Sequence, residues 1–172
     1  FTVAQDKNVG EFSLNWAYSE PAVTPSFGYT EPAIDADGNV YVISGNSLVK
    51  ISNSGAQAWT KALSMWGGNC PDVTPSLEAD GSVVYTAGGT DNTVRVYALN
   101  AADGSEKWTV GYDGFFQPNN SKLLSFWRAG VAVGDDHLFV SCTRGYSINA
   151  FSKANGSRTT YASTAADGSK MD

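Results

Sequence analysis

With 172 residues, 42% hydrophobic and 12% aromatic, the chain can bury one sizeable core and is too apolar to be disordered. Its 17 acidic against 11 basic residues give a formal charge of −6, which disfavours nucleic acid as a partner because phosphate contacts need clustered Lys and Arg. No apolar run approaches the roughly 20 residues of a membrane-spanning helix, and 18 glycines among short Val- and Tyr-rich runs favour an all-β chain.

Residues 1–10 carry little pattern. From Glu11 to Tyr18, apolar Phe12, Leu14 and Trp16 alternate with polar neighbours, which predicts a half-buried strand. Pro21 and Pro25 exclude a central strand from the connection that follows. Residues 30–35, the turn Asp37-Gly38 and residues 39–44 then read as a hairpin. Gly45-Asn46 leads into residues 47–52, and Asn53-Ser54-Gly55 into residues 56–63, making four short antiparallel strands. The same order recurs through the turn Asp80-Gly81, strand Val83–Ala87, loop Gly88–Asn92, strand Thr93–Leu99, turn Asp103-Gly104 and strand Glu106–Val110. A third copy runs through Ala129–Val133, Gly134-Asp135-Asp136, His137–Cys142, Ser147–Phe151, Asn155-Gly156 and Arg158–Tyr161.

Trp16 and Trp59 are 43 residues apart, Trp59 and Trp108 are 49 apart, and Asp37 and Asp80 are 43 apart. A four-strand unit repeated every ~40–50 residues is the signature of a β-propeller blade. The reading is therefore an all-β fold of four-stranded antiparallel propeller blades, about three of them. Residues 11–18 form the last strand of a preceding blade, 30–63, 74–112 and 129–161 are blades, and 162–172 is a tail. The extra length of the later copies falls in one inter-blade link, Tyr112–Arg128.

Ala98-x-Asn100-x-x-Asp103-Gly104-x-x-x-Trp108 resembles the eleven-residue tryptophan-docking motif of quinoprotein-type propellers, the PQQ-like repeats. Val49 to Trp59 matches at Gly55 and Trp59, with Val49 at the Ala place. Ala150 to Tyr161 keeps Ala150 and Gly156, is one residue longer and ends in Tyr161, and Trp16 matches as the tail of a motif. The resemblance covers residues 11–161 and implies that Trp16, Trp59, Ala98, Gly104 and Trp108 dock neighbouring blades. Three blades and a leading strand do not close a ring, since propellers have at least ~4 blades. The chain is thus expected to be a segment of a larger propeller, or one of several chains that complete it.

A meander alternates ends, so the tight Asp-Gly and Asn-Gly turns fall on one face and the longer second-to-third loops and inter-blade links on the other. That loop-rich face receives Trp66, Phe115, Phe116, Phe126, Trp127, Arg128, Arg144 and Tyr146. Trp66, Phe115, Phe116, Phe126, Trp127 and Tyr146 could stack on a sugar, a quinone or a peptide, or else fill gaps between blades, and Arg128 and Arg144 could anchor an anion or simply solvate the surface. Cys70 and Cys142 map to the same face on adjacent blades, as a disulfide or as two buried thiols. His137, the single histidine, lacks a Ser or Cys partner at recognisable spacing, which favours a structural role. Asp35-Ala36-Asp37-Gly38 has the look of a calcium-loop fragment, but Ala33 holds the first ligand place and no bidentate Glu follows, so it reads as a turn.

Blade motifs without identifiable acid, base or cofactor ligands point to a non-catalytic binding or scaffold module for protein or ligand interaction, with no cofactor, no metal and no membrane span. The alternatives are part of a PQQ-dependent dehydrogenase of alcohols or sugars, which the resemblance implies would use PQQ and calcium with Asn69, Asp72 and Asp113 as the nearby candidates, and a carbohydrate-binding lectin. A chain that starts at Phe1 reads as a processed mature protein or a piece of something longer. With the sequons at Asn119 and Asn155, this favours a secreted or extracytoplasmic location.

Overall fold

The computed structural model describes residues 15–18, 31–63, 74–90, 93–113, 130–141 and 147–162. Turn chemistry dictates their organisation. Asp80 and Asp103 each accept, through Oδ1, the backbone N–H of the residue two positions on (Ser82 and Ser105, both 2.9 Å), and Asn155 does the same for Ser157 at 2.9 Å. Such Asx turns reverse the chain tightly, and each apolar run between them becomes one strand of a meander.

Blade 1 consists of β1 (Ala33–Ile34), β2 (Val40–Ser44), β3 (Ser47–Ile51) and β4 (Gln57–Ala62). Blade 2 holds β5 (Ser76–Leu77), β6 (Val83–Thr90), β7 (Thr93–Asn100) and β8 (Glu106–Asp113). Blade 3 holds β9 (Val131–Val133), β10 (His137–Ser141), β11 (Ser147–Ser152) and β12 (Arg158–Ala162). Each blade is a four-stranded antiparallel sheet whose strands lie in sequence order, and the described residues form no helix.

Two local expectations change. The Gly88–Asn92 stretch, read as a loop from its glycines, is mostly strand: β6 and β7 pair through Gly88↔Arg95, Gly89↔Val94 and Thr90↔Thr93. Main-chain pairing needs no side chain, so the ladder continues through both glycines. β8 likewise runs on to Asp113, inside the stretch read as an inter-blade link. The strand expected over residues 11–18 lies partly outside the described residues, and residues 15–17 belong to none of the three sheets.

Blade 2 is covered on both sides, which explains why β6 is buried from Val83 to Ala87 with only Thr86 polar among them. Val83, Tyr85, Ala87, Val96 and Ala98 pack against Val131, Leu138, Val140 and Phe151 of blade 3. Val84, Tyr97 and Leu99 face the other way and pack against Tyr41, Ile43 and Leu48 of blade 1. A strand buried on both faces loses the apolar–polar alternation of a half-buried one. The two apolar clusters are the core, and they lie between the blades rather than within any one of them.

Candidate functional site: the seams between blades

The registers align the blades residue by residue. Tyr41, Tyr85 and Phe139 occupy one place on the second strands, opposite Lys50, Ala98 and Ala150 on the third. Across to the fourth strand, Lys50 faces Trp59, Ala98 faces Trp108 and Ala150 faces Thr159. This corrects two sequence alignments: Lys50 rather than Val49 stands where Ala98 stands, and Thr159 rather than Tyr161 stands where Trp108 stands. Blade 1 has a third-to-fourth turn one residue shorter, and the register shift that blades 1 and 2 place before their Trp is missing from blade 3. Counting residues along the chain cannot register either change.

Each of the three described tryptophans reaches over the turn of the next blade. Trp59 Nε1 donates to the carbonyl of Ala101 at 3.1 Å, and Trp108 Nε1 to that of Lys153 at 2.8 Å. Trp16 Nε1 donates to the carbonyl of Asn53 at 3.0 Å. The rings lie on the glycines that follow these acceptors. A Cβ on Gly104 would fall 2.8 Å from Trp59 Cε3, one on Gly55 2.7 Å from Trp16 Cγ, and one on Gly156 2.7 Å from Trp108 Cε3. These glycines also have positive φ, 73° at Gly104, so the site needs glycine for its backbone and for its lack of a side chain. Ala98, opposite Trp108, is fully buried in the seam with blade 3.

Acids and bases fill the seams on the tight-turn side. Lys50 Nζ donates to the Ala101 carbonyl at 2.9 Å, lies 3.9 Å from Asp35 and sits 5.1 Å above the Tyr41 ring. Asp35 accepts from Asn39 and from the Tyr41 hydroxyl, the latter at 3.0 Å. Burial pushes its carboxyl up, but Asn39, Tyr41 and the Lys50 charge together hold it below the usual value. Between blades 2 and 3 the lysine comes from the other blade. Lys153 Nζ donates to Glu78 Oε1 at 2.8 Å and to the Gly134 carbonyl at 3.0 Å, while Tyr85 donates to Glu78 Oε2 at 2.9 Å. The hydrogen bond from Lys153 holds the Glu78 carboxyl below its ordinary range, and burial pushes the Tyr41 and Tyr85 hydroxyls up, so both remain donors at neutral pH. On the outer strands, Lys61 and Glu106 add an ion pair at 2.8 Å, partly open to water.

Blade 3 lacks the matching groups on its far side. Where blades 1 and 2 have a Tyr–carboxylate pair, it has Phe139 with Gly134, and where they have Trp it has exposed Thr159. The hydroxyl and its acceptor are absent together, so neither is left in this place without the other. Phe139 is 40% exposed and Ile148 53%.

An open groove of about 410 Å³ runs between blades 2 and 3 on the tight-turn face, lined by Glu78, Lys107, Asp135, Asp136, His137 and Lys153 among others. His137 stands at its rim with an exposed ring 6.4 Å from that of Phe139. Of the expected ligand face, Trp66, Phe115, Phe116, Phe126, Trp127, Arg128, Arg144 and Tyr146 lie outside the described residues, as do Cys70, Cys142, Asn69 and Asp72. Sequence reasoning missed the acceptors Asn53, Ala101 and Lys153. They act through main-chain oxygens, so any side chain satisfies the contact and none marks the position.

Among the described residues, no three His, Cys, Asp or Glu side chains gather to hold a metal ion. The Asp35 oxygens take their donors from Asn39 and Tyr41.

Four-stranded meanders packed face to face around shared apolar seams, with an indole crossing each one, define blades of a β-propeller. The family described as outer membrane protein assembly factor BamB matches residues 13–169, and the chain belongs to this family of PQQ-like repeats. No curated protein matches the chain. Among solved structures it is similar to BamB from Moraxella catarrhalis, with 20% identity and a TM-score of 0.53 over 75% of this chain and 38% of that one. It is also similar to a protein of unknown function from Bacteroides caccae, with 10% identity and a TM-score of 0.53 over 81% and 50% of the two chains. A third is the quinohemoprotein alcohol dehydrogenase ADHIIG from Pseudomonas putida HK5, with 14% identity and a TM-score of 0.58 over 90% and 22%. The chain thus spans half or less of the length of each, and these likenesses are likenesses of fold. No helix among the described residues is long and apolar enough to cross a membrane.

Proposed function

We propose that the chain is a non-catalytic, extracytoplasmic binding and scaffold module, part of a larger β-propeller whose ring is completed by further blades or chains. The observation that carries this reading is the repeated seam. Indole, main-chain acceptor and buried apolar cluster recur from blade to blade and build a stiff arc, and an arc of three falls short of the ~4 blades of a closed propeller.

The seam acids support a structural rather than a chemical role. Asp35 spends its oxygens on Asn39 and Tyr41 within blade 1, Glu78 spends its own on Tyr85 of the same blade and Lys153 of blade 3, and the two acids converge on no common reacting centre. The family's description as an outer membrane assembly factor supports the extracytoplasmic placement and a protein as ligand. The aromatic loop-rich face, with Trp66, Phe115, Phe116, Trp127, Arg128 and Tyr146, is the proposed contact surface.

The native mass of the assembly, with every chain in it identified, tests this reading. A mass well above that of one chain, with further propeller blades, is expected; the mass of a single chain overturns it. Titration with calcium and PQQ would reveal a dehydrogenase, and a glycan screen a lectin, so binding in either overturns the scaffold assignment.

A further inference from the structure

The groove of about 410 Å³ between blades 2 and 3 is lined by charges of both signs, and these fall into two groups. Glu78 and Lys153 are spent on each other at 2.8 Å, with side chains only 19% and 18% exposed. Asp135, Asp136 and Lys107 are exposed, and their side chains make no hydrogen bond or ion pair among the described residues.

Local structure explains why these three are uncommitted. Four residues, 134–137, join Val133 to its partner Leu138 in blade 3, where blade 1 uses five (35–39) and blade 2 six (78–83). The short turn closes through its own main chain, with the Gly134 N–H donating to the His137 carbonyl at 2.9 Å. It has no use for the carboxylates of Asp135 and Asp136. In the turns at Asp80 and Asp103, by contrast, a serine N–H and hydroxyl hold each acid.

Lys107 comes from the blade 2 wall. Ala98 faces Trp108 and Leu99 faces Glu106, so Lys107 is the extra residue of a bulge in β8. Such a bulge re-aims the side chain it adds. Blade 1 has Ala58 at this place and blade 3 has no register shift. The seam between blades 1 and 2 therefore presents Ala58 and the already bonded Asp80 where this groove presents Lys107 and two unspent acids.

We propose that the groove is a second contact surface, on the tight-turn face, and takes an extended segment of a partner protein that carries a basic and an acidic side chain. The basic group pairs with Asp135 and Asp136 on the blade 3 wall, and the acid with Lys107 on the blade 2 wall. Small-molecule pockets enclose most of their ligand, whereas this groove is open, which suits a chain laid along it. In an extended chain, residues two apart project to the same side, so one segment presents both charges to the groove. Both walls belong to this chain, and the site does not depend on what completes the ring.

Octapeptides of Gly and Ser carrying one Lys and one Glu, two or four residues apart, test the proposal by titration against the full chain at low salt. One Lys–Glu spacing is expected to bind about fivefold more tightly than peptides with the Lys or the Glu alone, the upper reach of a single exposed ion pair. Asp135→Asn/Asp136→Asn and Lys107→Gln should each lose that advantage, and Lys107→Glu should transfer it to a Lys–Lys peptide. Asp37→Asn, which removes an exposed acid from the blade 1 turn, should leave it unchanged. All four changes are at exposed positions, and thermal melts check that the fold is kept. No binding, equal binding of all the peptides, or losses no larger than that of Asp37→Asn overturns the proposal, and leaves the ring and the loop-rich face to their own test by native mass.

Discussion

The carbonyl of Ala101 accepts from Trp59 Nε1 at 3.1 Å, from Lys50 Nζ at 2.9 Å and from the Tyr41 hydroxyl at 3.4 Å, so one main-chain oxygen of blade 2 is gripped by three side chains of blade 1. The donors are therefore the mutable half of the seam. Trp59→Ala removes a half-buried ring and its hydrogen bond and is expected to lower stability by about 3 kcal/mol, the low end for an aromatic truncated to Ala. Ala101→Ser keeps the carbonyl and is expected to cost well under half as much. Denaturant unfolding of the two variants measures the difference.

Gly104 and Gly81 separate backbone strain from steric collision. Both have positive φ, 73° and 71°, but a Cβ on Gly104 meets the Trp59 ring at 2.8 Å whereas one on Gly81 meets nothing within 4 Å. Gly81→Ala is expected to cost roughly 1–2 kcal/mol from the left-handed backbone alone. Gly104→Ala adds displacement of the indole and should cost clearly more. It should also shift the fluorescence of Trp59, which Gly81→Ala leaves unchanged.

The Glu78–Lys153 pair makes the seam between blades 2 and 3 sensitive to acid. Its carboxyl is held below the ordinary 4.5, so on acidification the unfolded chain takes up the proton before the native one does. The contribution is fully present above pH 4.5 and is lost as pH falls through the depressed native value. Lys153→Met is expected to flatten stability against pH in that acid window, and thermal melts of both proteins between pH 3 and pH 6 would show whether it does.

Thr86 is wholly buried on β6 and its hydroxyl has no hydrogen-bond partner among the described residues, while blade 3 carries Val140 at the same place. A buried hydroxyl without a partner costs on the order of 1–3 kcal/mol. Thr86→Val is expected to raise stability by about 1 kcal/mol, read as a higher denaturant midpoint with an unchanged slope.

Much of the fold was legible in the chain because its signals are local. Asp and Asn before Gly bond the backbone two residues on and reverse it, and the runs between these turns have strand length. The recurrence of Trp16, Trp59 and Trp108 at blade spacing announced propeller blades, and Gly55 and Gly104 ahead of Trp59 and Trp108 matched the PQQ-like pattern. Register was less legible. A shorter turn placed Lys50, not Val49, opposite Trp59, and a missing register shift placed Thr159, not Tyr161, at the third Trp position.

By itself, then, the sequence determined most of the stretches that become strands, the Asp-Gly and Asn-Gly turns and the repetition of the units, all properties of neighbours along the chain. Tertiary structure alone decided which blade supplies each group of a seam: that Lys50 serves from blade 1 but Lys153 from blade 3, and that Ala101 and Asn53 act through their carbonyls. The physical reason is that a main-chain acceptor carries no side-chain signature, and a lysine's reach is set by how two sheets pack rather than by its place in the chain.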